Sequence, residues 1–258
     1  DYGNENVVFQ YNLSYNNEGG FVEILGDNIN CGYRYNISIN DGYRIDPEGV
    51  HNGRTYNVSD YCGVNNAGCP SVGSFIYNNT IFIGDTIHPE IRIKPAIGEL
   101  HCYNNLLYCT PSGEELPCIV DEENNELSFS HNLYFDANRM NLADAITANA
   151  VFGDPLLMDQ DDLGSVNPAG YRIGLGSPAF QTGIFPSDLI APNSFFDHAS
   201  NAGYFGGGVG SDAPPSIGVH QPYLGSFYCD EGVLWDPMLL KCTACSCEGD
   251  FNFDGVVT

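Results

Sequence analysis

Basic residues are scarce in this sequence. Its 258 residues hold 8 Lys and Arg against 33 Asp and Glu, a formal net charge of −25. A surface so negative repels phosphate backbones, which excludes nucleic acid as a partner. It is equally unsuited to anionic membranes. No run of about eighteen apolar residues occurs, so no membrane insertion is expected. Helix-prone sequence is sparse too: the best stretch, Leu142 to Ala150, suggests two turns. The chain opens on Asp1-Tyr2-Gly3 with neither Met nor a leader, which reads as a processed chain or a fragment. No Ser-His-Asp or Cys-His arrangement can be picked out, and no paired C-x-x-C motifs mark a zinc site.

What is present points to a packed, secreted protein. Hydrophobic residues make up 43% and aromatics 12%, enough for a core and too many for disorder. Ten cysteines alongside only two lysines suggest an oxidising address, secreted or on a cell surface. Cys62 and Cys69 close a short loop and are the one pairing legible from position. An acidic surface also suits divalent cations.

A repeat runs through the first half. Val8–Ser14, Gly32–Ser38, Ser74–Thr80, Leu100–Leu106 and Ser128–Tyr134 each carry a short β-prone run, a ring, an Asn and a return to apolar residues. Aligned this way, Asn12, Asn36, Asn78, Asn104 and Asn132 recur at intervals of 24, 42, 26 and 28 residues. Short strands joined by tight turns place one residue per coil at the same point. Asn tolerates the left-handed backbone that such turns need. Stacked Asn side chains can hydrogen-bond from coil to coil, and the coils' strands then pair into parallel sheets around one core. The 42-residue gap reads as an insertion from Ile39 to Ser74.

These repeats resemble the right-handed parallel β-helix of the pectate-lyase-like superfamily. Later stretches extend the likeness: Gly153-Asp154-Pro155-Leu156-Leu157, Tyr171-Arg172-Ile173-Gly174-Leu175-Gly176-Ser177-Pro178-Ala179 and Pro215-Ser216-Ile217-Gly218-Val219. The resemblance implies an all-β fold, a right-handed parallel β-helix (solenoid) over residues 1–223. It also implies a closing segment from about residue 140 that covers the C-terminal end of the helix. Residues 224–258 form a small disulfide-rich appendage. That appendage ends in Asp250-Phe251-Asn252-Phe253-Asp254-Gly255-Val256, spaced like the first half of an EF-hand loop. Asp250, Asn252, Asp254 and the Val256 carbonyl would offer oxygen to Ca²⁺. The segment resembles a dockerin first loop, with the twelfth-position ligand beyond Thr258.

Four N-glycosylation sequons start at Asn12, Asn36, Asn57 and Asn78. Three of these coincide with the expected ladder, where an inward side chain has no room for a sugar. Asn57, placed in the insertion, is the glycosylation candidate. Ile91-Arg92-Ile93-Lys94 resembles the Arg-Ile-Lys tripeptide of polygalacturonases. That family's upstream Asn-Thr-Asp, Asp-Asp and Gly-His-Gly are missing, so a chance match is the better reading.

A polysaccharide lyase needs a base and a cation facing a uronate carboxylate. Arg34, Asp41, Arg44 and Asp46 form the best local mix of charges for that. A glycoside hydrolase needs two carboxylates across a groove, and a solvated acidic face explains Glu18, Glu23, Asp41 and Asp46 as well. The expectation is therefore a non-catalytic extracellular rod of a surface fibre or matrix. It would meet a polysaccharide or glycan partner and self-associate end to end through an uncovered first coil. A carbohydrate-active enzyme, or its glycan-binding module, is the alternative.

Overall fold

The computed structural model of the chain describes residues 2–48, 52–63, 68–85, 87, 90–110, 116–120, 125–136, 140–142, 144–159, 162–174, 176–185, 203–205, 213–222, 228–229, 233–236 and 241–244. Three parallel sheets are laid down in rotation, one strand to each sheet per round. The first holds β1 (Val8–Gln10), β4 (Ile29–Arg34), β7 (Ser71–Tyr77), β10 (Gly98–Tyr103) and β13 (Asn125–Ser130). The second holds β2 (Leu13–Tyr15), β5 (Ile37–Ile39), β8 (Thr80–Ile83), β11 (Leu106–Cys109), β14 (Leu133–Phe135) and β16 (Val151–Phe152). The third holds β3 (Gly20–Ile24), β6 (Arg54–Val58), β9 (Ile91–Ile93), β12 (Leu116–Val120) and β15 (Met140–Asn141). This is an all-β architecture of parallel strands, compatible with a parallel β-helix or solenoid. No α-helix occurs among the described residues. Leu142 to Ala150 yields one 3-10 turn, Asp144–Ile146, instead of two helical turns. The chain must return to β16 within a few residues, and Ile146 goes into the core.

Two residues separate the first-sheet strand from the second-sheet strand in each round. The first of them turns the corner in left-handed conformation: Tyr11, Tyr35, Asn78, Asn104 and His131 have φ between 51 and 58°. That conformation costs a non-glycine residue roughly 1–2 kcal/mol. The second residue offsets it. Asn12, Asn36, Asn79, Asn105 and Asn132 stand in a column, and the amide oxygens of the last four each accept from the backbone N–H and Nδ2 of the Asn one round earlier, at 2.9 to 3.2 Å.

The column corrects the expected register. Asn79 and Asn105 are its members, and Asn78 and Asn104 stand one place before it. The sequence alignment matched Tyr77 to Tyr35, whereas Tyr77 pairs across the sheet with Arg34 and Tyr103. In an Asn-Asn pair either residue can take the left-handed corner, so ring-then-Asn is not the governing pattern. Shorter columns occupy the other two turns. Asn4 bonds to Asn28, and Asn28 to Ser71; Asn17 bonds to Asp41.

Alternation along the strands divides the apolar residues in two. Ile24, Ile76, Ile81, Ile91, Ile93 and Leu100 point inward to one core shared by all three sheets. A fully buried Ile or Leu contributes about 1.5–3 kcal/mol relative to exposure. Cys102 and Cys109 belong to the same core, Cys102 as a free thiol, and Cys31 is another buried free thiol. Burial pushes the Cys102 thiol well above its usual range and makes it a small hydrophobe.

The second sheet is apolar on its outward side as well. Ile37, Ile39, Phe82, Leu106 and Leu133 are packed there under Leu157, Tyr171, Ile173, Ala179, Ile217 and Val219. The stretch expected to cover the end of a β-helix packs against this outward side of the second sheet. Asn78 and Asn104 hold it. Asn78 Nδ2 donates to the Ser216 and Gly218 carbonyls at 2.9 and 3.1 Å, and the Ile184 N–H donates to Asn104 Oδ1 at 2.8 Å. Gly218, at φ 90°, passes so close to Thr80 and Leu106 that a side chain there would meet both.

The compact unit Asp1–Gln221 ends where a second one, Pro222–Thr258, begins. In the second unit β17 (Tyr228–Cys229), β18 (Val233–Asp236) and β19 (Lys241–Ala244) form an antiparallel sheet. The calcium-loop residues Asp250, Asn252, Asp254 and Val256 lie outside the described residues.

Candidate functional site

The outward face of the third sheet is built differently from the other two. Its strands alternate, so Val22, Ile24, Tyr56, Val58, Ile91 and Ile93 face the core, and their neighbours face out. Register aligns these neighbours into rows. Glu23, Asn57 and Arg92 lie side by side across β3, β6 and β9. The next row toward the strand ends is Leu25, Ser59 and Lys94, placed two residues further along each strand.

A groove of about 830 Å³ opens over these rows. Arg44, Arg54, Arg92 and Lys94 line it, half of the 8 basic residues of the chain, with Glu23 as the one carboxylate among the described lining residues. In a chain of net charge −25 this is a concentrated reversal of sign. The Arg54 guanidinium is tied down, and the Arg44 backbone is held. Arg54 is 5% exposed; its Nε pairs with Glu90 Oε1 at 3.0 Å and its Nη1 donates to the Asn52 carbonyl. Arg44 is set by its backbone, whose N–H donates to the Glu18 carbonyl and whose carbonyl accepts from Gly53 N–H. Gly53 is required there, since a side chain would run into the Gly42 and Glu18 carbonyl oxygens.

Asn57 is the middle residue of the groove floor. Its Nδ2 donates to Glu23 Oε1 at 2.9 Å. The expectation that it sits in a long insertion is corrected: the segment Ile39 to Ser74 contains β6, with one loop before it and the Cys62–Cys69 disulfide loop after it. The other sequon residues are bonded through Nδ2. Asn12 donates to Asn36, Asn36 to Asn79, and Asn78 to Ser216 and Gly218.

The structure does not bring Arg34, Asp41, Arg44 and Asp46 together in one site. Arg34 is 6% exposed, donating to Gln10 Oε1 and the Tyr77 hydroxyl at 2.8 Å each. Asp41 is 3% exposed and accepts from Asn17 and from Ser38 Oγ. Asp46 accepts from the Glu48 N–H within a local turn. Arg44 alone lines the groove.

Arg54, Arg92, Lys94, Glu23 and Asn57 are the residues that sequence reasoning passed over as a set. One signal was available: Arg92-Ile93-Lys94 alternates charged and apolar, as a strand with one wet face does. His101 stacks on Phe75 with ring centroids 4.9 Å apart and pairs with Glu99 at 2.6 Å, on the first sheet and away from the groove lining. Among the described residues no group of three or more His, Cys, Asp or Glu is placed to hold a metal ion.

Chemically, this floor offers guanidinium, ammonium, amide and hydroxyl donors in a row. Such a set binds carboxylate or sulfate groups along an extended ligand. Glu23, the carboxylate among the described lining residues, is hydrogen-bonded to Asn57. No protein-family model matches this chain, and no curated protein matches it.

Proposed function

We propose that this chain is a right-handed parallel β-helix of the pectate-lyase-like kind, a non-catalytic extracellular rod that binds an anionic polysaccharide along its third sheet. The observation that carries the reading is the gathering of Arg44, Arg54, Arg92 and Lys94 in one groove of an otherwise acidic molecule. Glycan adhesion gives such a groove a use that a net charge of −25 would otherwise oppose. The Cys62–Cys69 disulfide supports an oxidising address. Calcium at Asp250, Asn252, Asp254 and the Val256 carbonyl belongs to the same reading as a property of the second unit.

Self-association is part of the proposal as well. Phe9, Tyr11 and Tyr15 of the first round are 50, 37 and 42% exposed, although Tyr35 and Ile39, their counterparts in the next round to Tyr11 and Tyr15, are buried. Exposed strand edges beside apolar side chains are a ready pairing surface.

Titration with polygalacturonate and alginate, beside a neutral glucan, tests the groove. The acidic polymers bind and the glucan does not. The Arg92→Ala/Lys94→Ala double variant binds at least about tenfold more weakly, and the affinity of the parent falls with salt. Binding that is indifferent to both substitutions would sink the reading. Release of unsaturated uronates or new reducing ends by the purified protein would replace the non-catalytic rod with an enzyme.

A further inference from the structure

We infer that Tyr61 is a fixed stacking platform for a sugar ring at one end of the groove, held in place by the Cys62–Cys69 disulfide. The inference rests on the groove reading above and adds to it the residue that recognises the uncharged face of the ligand.

Tyr61 lines the groove and is 45% exposed. It follows Asn57 and Ser59 at two-residue steps, and all three line the groove. β6 ends at Val58, and Tyr61 follows Ser59, the member of the Lys94 row, by two residues while lining the same groove. A bound chain lying over Arg92 and Lys94 would therefore reach it. An aromatic ring takes the C–H face of a pyranose without needing charge, and it gives large contact area for few rotatable bonds.

An exposed tyrosine on a loose loop would lose most of that gain in ordering. Here the mounting is rigid. The Tyr61 carbonyl accepts from the Gly26 N–H at 2.7 Å. The next residue, Cys62, is bonded to Cys69. Cys69 is itself pinned on both sides: its N–H donates to the Asp60 carbonyl at 3.0 Å, and its carbonyl accepts from Asp27 N–H at 2.9 Å. Tyr2 packs edge-on against the ring, with centroids 6.0 Å apart and planes at 85°. Gly26 lies so close to Asp60 and Cys69 that a side chain there would collide with both backbones. The disulfide loop thus has a task beyond closing an insertion: it sets the position of one ring relative to the cations of β9.

Calorimetric titration with polygalacturonate, run at low and high salt, tests this. Tyr61→Ala binds about tenfold more weakly at both salt concentrations, because stacking is not screened. Tyr61→Phe keeps the parent affinity. The Arg92→Ala/Lys94→Ala variant shows the opposite pattern, with a loss large at low salt and small at high salt. The Cys62→Ser/Cys69→Ser variant, with its ring intact, loses a few fold in affinity. Urea midpoints equal to the parent's show that the Tyr61 variants are folded. If Tyr61→Ala binds as the parent does while Arg92→Ala/Lys94→Ala is impaired, the platform is wrong and the groove stands. If the parent binds no acidic polymer, the groove reading fails and takes the platform with it.

Discussion

Replacing Asn105 by Ala removes an amide of the column whose side chain makes four hydrogen bonds. Its Nδ2 donates to Asn132 Oδ1 at 3.1 Å and to the Ile76 carbonyl at 2.8 Å. Its Oδ1 accepts from the Asn79 N–H at 3.2 Å and from Asn79 Nδ2 at 2.9 Å. Asn105 is 1% exposed and Asn79 0%, so water cannot replace what is lost. Each buried group left without a partner costs about 1–3 kcal/mol. The Asn79 donors and the Ile76 carbonyl are the groups affected, which puts the loss at roughly 3–5 kcal/mol. Asn12 tests the reasoning, because it has the same residue type at the exposed start of the same column. It donates to Asn36 and to the Gln10 carbonyl, in an exposed setting. Asn12→Ala should therefore cost only about 1 kcal/mol. Urea unfolding of both variants, followed by circular dichroism in the β region, reads the difference as a shift in midpoint at unchanged slope. Equal shifts would mean that the column is not what holds successive rounds together.

Two further outcomes follow from other parts of the molecule. Burial, then the neighbouring Arg172 guanidinium, pushes the His220 imidazole down from 6.5 to about 4, while its Nδ1 accepts from the Ile173 N–H at 3.2 Å. The folded state thus prefers neutral His220. The associated stability, on the order of 3 kcal/mol, is complete above pH 6.5 and lost as pH falls from there through about 4. His220→Gln should flatten that part of the stability profile, and an unaltered profile would dismiss His220 as its source. At the first round, Phe9→Lys with Tyr15→Lys places charge on the exposed edge. Sedimentation velocity should show the parent associating with concentration and the variant not; a parent that stays monomeric at high concentration removes the edge as a contact.

Much of the architecture was legible because a repeated geometry repeats its chemistry. Asn12, Asn36 and Asn132 were placed correctly on spacing alone. Asn79 and Asn105 were missed by one place because each follows another Asn, and the corner conformation accepts Asn, Tyr and His alike. The groove was harder to read for a different reason. Arg44 and Arg54 come from one round, Arg92 and Lys94 from the next, and the two long loops around β6 hide the period that relates them. Local charge mixing instead drew attention to Arg34 and Asp41. Both are consumed inside the fold, by Tyr77 and Gln10 in one case and by Asn17 and Ser38 in the other. A charged residue in stacked parallel strands carries meaning through its neighbours one round away, and sequence proximity misstates who those neighbours are.

The amide column also has a direction. Asn12, Asn36, Asn79 and Asn105 each hand protons onward to the following member, like a queue in which each person holds the shoulder ahead, while the Asn132 amide donates to the Cys102 carbonyl. At the far end Ala150 takes the corresponding place, and its N–H is already given to the Thr147 carbonyl. The Asn132 end of the queue is buried, whereas Asn12 stands exposed. Because stacked rounds come apart by losing contacts between neighbours, opening would begin at the exposed member and travel one way. Amide protection that declines steadily from β11 toward β2 would be its signature.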